Sequence, residues 1–133
     1  MVVVIDCPDE AAFDKELERA AKGATGLLVV AEFTAGWCGP CRPPRQSQAE
    51  EPQPWGLPGH LERLAKEEPG VTFLRADVDE TEGLCDRYDI QELPTYLFFR
   101  SADASLLKRR EGVRSRLVAP SLGKVRERIG EVK

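Results

Sequence analysis

The chain has 133 residues, of which 41% are hydrophobic and 32% charged; this suits one folded domain with a core and excludes wholesale disorder. Its formal net charge of −4 gives no electrostatic reason to expect nucleic acid or an anionic membrane as a partner. No apolar run approaches the length of a membrane span, and the N-terminal stretch Met1–Asp6 has neither a basic segment nor a cleavage site, so a cytoplasmic, reducing setting is expected.

In chain order, Val2–Ile5 is a short β-branched run and predicts a strand. Pro8 and the acids around it signal a helix start, followed by Phe13, Leu17, Ala20 and Ala21 at helical spacing and a stop at Lys22-Gly23. Leu27–Phe33 is a nearly continuous apolar run, as expected of a strand covered on both faces, with Glu32 as its polar member. Trp37-Cys38-Gly39-Pro40-Cys41 follows at once. Prolines at 43, 44, 52, 54 and 58 then exclude a regular helix over residues 42–59. A helix resumes over His60–Glu68, Val71–Ala76 predicts a strand, and Asp79 stands where it would cap a short helix carrying Leu84, Cys85 and Tyr88. Pro94–Phe99 and Leu106–Arg110 predict a hairpin around Ser101–Ser105. Val118, Leu122, Val125, Ile129 and Val132 mark one face of a C-terminal helix, with Pro120 in its first turn. The order βαβ–αβ–α–ββ–α defines one α/β domain over residues 1–133.

Cysteines stand at 7, 38, 41 and 85, and only Cys38 and Cys41 have motif spacing. In a reducing compartment such a pair is catalytic or metal-binding rather than a structural staple. A zinc site needs four converging ligands; one such pair with the lone His60 does not supply them, so no metal is expected. Cys7 and Cys85 read as structural thiols, His60 as a helix-surface residue, and Lys108–Arg110 with Arg114 and Arg116 as a solvated basic strand and loop.

A thiolate is the nucleophile of disulfide exchange, and an ordinary cysteine, with a pKa of about 8.5, is only a few per cent ionised at neutral pH. Raising that to half needs a stabilisation of about 2 kcal/mol. A strand-then-helix context places Cys38 at a helix N-terminus, where the dipole contributes about 0.3–1 kcal/mol and up to about 2 in favourable geometry. The two-residue spacing lets Cys41 attack a mixed disulfide on Cys38. Glu32, six residues upstream, has two readings on its own: a buried base for the Cys41 proton, or an edge-facing carboxylate with a salt-bridge partner.

The segment Val30–Arg42, with Trp37-Cys38-Gly39-Pro40-Cys41 near its end, resembles the active-site signature of thioredoxins. Asp77–Asp79 and Tyr88–Thr95 are also similar to that family, with Leu93-Pro94-Thr95 in the place of its cis-proline segment and Gly112-Val113 in the place of its rim glycine. The resemblance covers the chain except residues 42–59. It implies a thioredoxin fold, a central mixed β-sheet flanked by helices on both faces. It also implies a protein-disulfide reductase with Cys38 attacking, Cys41 resolving and Glu32 at the family's buried acid, usually aspartate. Leu93 and Pro94 would meet the substrate chain, and Trp37, Gly39, Pro40, Gly112 and Val113 would form the docking rim. The implied partners are disulfide-containing proteins and a separate recycling reductase, acting on a monomer with no bound cofactor. The alternative is a thioredoxin-like binding or regulatory module with little turnover. The proline-rich insertion at about 42–59 reads first as a tolerated surface excursion, ahead of a specificity loop anchored by Trp55 or a gene-model artefact. By shortening the helix after Cys41, it is expected to weaken the dipole behind Cys38.

Overall fold

The computed structural model describes residues 4–22, 26–36 and 60–133. Along the chain run β1 (Val4–Cys7), α1 (Glu10–Ala21), β2 (Val29–Thr34), α2 (His60–Glu67), β3 (Thr72–Asp77) and α3 (Glu82–Tyr88). They are followed by β4 (Thr95–Phe99), α4 (Ala104–Leu107), a 3-10 turn (Arg110–Gly112), β5 (Val113–Val118) and α5 (Leu122–Val132). The sheet order is β1-β3-β2-β4-β5. Strand β3 is parallel to both β1 and β2, whereas β4 is antiparallel to both β2 and β5.

Alternation along the strands explains the layers, because successive side chains leave a strand on opposite faces. Val29, Ala31 and Phe33 of β2 join Leu74, Ala76, Leu97 and Phe99 on one face, covered by Phe13 and Leu17 of α1, Leu84 and Tyr88 of α3 and Leu107 of α4. Val30, Phe73, Tyr96 and Phe98 point the other way, against Leu61, Leu64 and Ala65 of α2 and Val125 and Ile129 of α5. The result is the mixed sheet with helices on both faces that the resemblance implied. Phe13, Phe33, Tyr88 and Phe99 pack together in the first layer with ring centroids 5.3–6.4 Å apart, three pairs tilted and Tyr88–Phe99 edge-on. No helix among the described residues is long and apolar enough to cross a membrane.

Several boundaries differ from expectation, each for a local reason. The helix start signalled around Pro8 falls at Asp9, whose carboxylate accepts the Ala12 N–H at 2.8 Å and caps α1, while Cys7 is the last residue of β1. Asp79 does not cap α3. The cap position is Thr81, whose hydroxyl donates to the Asp77 carbonyl at 2.8 Å, while the Asp79 N–H donates to the Asp77 carboxylate. Residues Leu106–Arg110 are not a strand. Asp103 accepts the N–H groups of Ser105 and Leu106 and so starts α4, Leu107 is buried, and its carbonyl accepts the Tyr88 hydroxyl at 2.7 Å. The edge strand of the expected hairpin lies further on, at Val113–Val118, and its Arg-Ser-Arg centre hides it from a hydrophobic pattern. Val118 therefore ends β5 instead of opening α5, and Pro120 precedes the α5 cap Ser121, whose hydroxyl accepts the Lys124 N–H.

Candidate functional site

Parallel pairing of β2 and β3 brings the carboxyl ends of these strands to one end of the sheet. There β2 passes through Ala35 and Gly36 toward Trp37, and Ala35 packs against Val78 beyond β3 and Leu93 before β4. Leu93–Pro94 is a cis peptide bond. Because Phe33 pairs with Thr95, Pro94 stands beside the end of β2. The residues Trp37, Cys38, Gly39, Pro40 and Cys41, with the insertion at 42–59, lie outside the described residues.

Below this end, Glu32 is only 2% exposed. It occupies the central strand, so it has a neighbour on each side: Arg75 on β3 and Tyr96 on β4. Arg75 Nε donates to Glu32 Oε1 at 2.8 Å, and the Tyr96 hydroxyl donates to Oε2 at 2.6 Å. The remaining guanidinium edge grips Glu62 of α2 in a bidentate pair at 2.9 and 3.0 Å, with Asp6 3.8 Å away. Burial opposes the charge on Arg75, but Glu62 and Glu32 outweigh it and raise its pKa. Burial, reinforced by Glu32, raises that of Tyr96, so its phenol remains a proton donor. Glu32 thus combines parts of both sequence readings, being buried and also ion-paired.

Gly112 and Val113 are not brought to this end. Val113 pairs with Phe99, at the far end of β4 from Pro94. This follows from the displaced β5: what comes after the last strand is Ala119-Pro120. Val118 pairs with Thr95 and is 44% exposed, and the Ala119 N–H donates to the Pro94 carbonyl at 2.8 Å. Ala119 holds φ at +46°, a left-handed conformation that is strained for a residue with a Cβ. Gly112 has a packing reason of its own, since a Cβ there would lie 2.1 Å from the Leu106 carbonyl oxygen.

Beside Leu93 opens a cavity of about 380 Å³ lined by Val78, Ile90 and Cys85, with Glu82 and Asp86 at its rim. Cys85 is half-buried, and burial together with Asp86, Glu82 and Asp79 raises its pKa. Cys7 is buried and its thiol is pushed up to about 12, first by burial and then by Glu16, Asp6 and Asp9. Both are free thiols held protonated at neutral pH, the opposite of what a nucleophile needs. Among the described residues no cluster of three or more histidine, cysteine or acidic side chains is placed to hold a metal.

Sequence reasoning missed Arg75, Tyr96, Val118 and Ala119. Arg75, a lone cation inside an apolar strand, is the signal that should have pointed to a buried acid. Tyr96 gives none until the β2–β4 register is known.

The sheet order, with its cis-proline segment beside the end of β2 and an acid buried beneath it, defines a thioredoxin-fold protein. No family model matches the sequence. It is 33% identical over 119 residues to a Thioredoxin H-type of Oryza sativa subsp. indica, covering 87% of this chain and 85% of that protein. It is 34% identical over 97 residues to Thioredoxin H1 of Arabidopsis thaliana, covering 73% and 72%. Among solved structures it is similar to Fasciola hepatica thioredoxin, with a TM-score of 0.68 and 28% identity over 98% of this chain and 100% of that one. A poplar thioredoxin h gives a TM-score of 0.69 at 25% identity, over 97% and 95%. The chain belongs to the thioredoxin family and is a protein thiol–disulfide oxidoreductase of the reductase type.

Proposed function

We propose that Cys38 and Cys41 carry the reductase chemistry, with Glu32 as the proton acceptor for Cys41. The Cys38 thiolate attacks one sulfur of a substrate disulfide; the other sulfur leaves as a thiolate and takes a proton from solvent. Glu32 then receives the Cys41 proton, and the Cys41 thiolate attacks Cys38, releasing the second substrate thiol. Two electrons pass to the substrate, and the protein is left with a Cys38–Cys41 disulfide.

The observation that carries this reading is the packing of Ala35 between Val78 and Leu93. It fixes the point where the chain leaves the sheet, three residues before Cys38 in the sequence. Leu93 and Pro94 would lie against the substrate chain. Trp37, Gly39 and Pro40 would complete the rim together with Val118 and Ala119, which take the place expected of Gly112 and Val113. Substrates are disulfide-containing proteins met in the cytoplasm by a monomer with no bound cofactor, and a separate reductase restores the dithiol.

Insulin reduction with dithiothreitol as the electron source tests the assignment. Cys38→Ser is expected to lower turnover at least about 100-fold, toward the uncatalysed rate, because the nucleophile is gone. Turnover equal to the wild type would remove Cys38 from the mechanism.

A further inference from the structure

We propose that Tyr96 is a positioning residue for the reductase, its phenol and the Arg75 guanidinium together fixing the Glu32 carboxylate in the orientation and charge state from which it takes the Cys41 proton. This rests on Glu32 being that acceptor.

The argument is geometric. Glu32 is buried on the middle strand of the sheet, so its flanking strands must supply its donors. They supply one to each oxygen, at 2.8 Å from Arg75 and 2.6 Å from Tyr96. Tyr96 is itself fully buried, and its ring packs in the apolar layer with Val30, Phe98 and Val125. Its hydroxyl therefore has little freedom to turn away from Oε2. The charged and titratable groups facing the carboxylate are Arg75 and Tyr96 directly, with Glu62 and Asp6 behind Arg75.

A hydrogen bond to a carboxylate favours its ionised form. Without the phenol, Oε2 would lose its buried donor and the carboxylate its fixed orientation. Arg75 cannot take over both oxygens, since its other two nitrogens are committed to Glu62.

The test is the pH dependence of the resolving step, read by stopped flow. The reduced protein is mixed with 5,5′-dithiobis(2-nitrobenzoate), and release of the second thionitrobenzoate reports attack by Cys41 on Cys38. Tyr96→Phe keeps the ring and removes the donor; its acid limb is expected to move to higher pH by about one unit. Site-specific 3-fluorotyrosine at position 96, a stronger donor of nearly the same shape, moves the limb the other way and serves even where Tyr96→Phe folds poorly. Glu32→Gln abolishes the limb, and adding Tyr96→Phe to it produces no further shift. If Glu32→Gln abolishes the limb while both changes at position 96 leave it in place, the positioning role is overturned and Glu32 stands as acceptor. A limb that survives Glu32→Gln overturns both.

Discussion

Glu32 and Arg75 meet on neighbouring central strands, and the energetics of a buried ion pair set what each can tolerate. Desolvating two charges costs several kcal/mol each, so such a pair contributes little net stability, yet removing one partner leaves the other uncompensated. Arg75→Ala is therefore expected to lower unfolding stability by about 3 kcal/mol, the low end for such a loss because the guanidinium keeps some contact with water. Urea denaturation at pH 7 measures this. An unchanged midpoint would mean that the bonds to Glu32 and Glu62 contribute nothing. Cys7 gives a separate pH signature. Its folded thiol is held up at about 12, chiefly by burial, above the ordinary value of about 8.5. The stability linked to it is thus intact below about pH 8.5 and is lost as pH climbs toward 12, by at most about 1.4 kcal/mol per unit. Cys7→Ala should flatten this alkaline decline relative to the wild type; parallel curves would show that the thiol does not ionise on unfolding.

Local propensity located most elements and failed where tertiary contacts decide. Helix α1 and strand β2 were legible because their apolar residues follow periods of 3.6 and of a two-sided buried strand. The segment after β4 was not. Leu106 and Leu107 look like strand residues, but the Asp103 cap and the hydrogen bond from Tyr88 to the Leu107 carbonyl hold them in a helical turn. The edge strand therefore lies at Val113–Val118, and the residue that follows the last strand is Ala119 rather than Gly112. Gly112 explains how the turn is accommodated: its missing side chain lets the backbone pass directly beneath the Leu106 carbonyl. Gly112→Ala is expected to cost about 1–3 kcal/mol through overpacking against backbone that cannot swing aside. A melting temperature within a degree of the wild type would show that α4 yields freely.

Over the whole molecule, the residues that identify the chemistry and those that support it were unequally visible. The cysteine pair and the Leu93-Pro94 segment each stand in a short motif and can be read directly, whereas Glu32 alone leaves two readings open. Arg75 and Tyr96 lie 43 and 64 residues from the carboxylate they serve, and only strand register unites them. The position of β2 in the middle of the sheet makes that union compulsory, since a polar residue on an outer strand could borrow water on its open side. Glu32, Arg75 and Tyr96 are consequently held as one hydrogen-bonded unit. A homologue's residue grafted into any one of the three positions would arrive without its companions, so successful exchange between relatives requires moving the trio together.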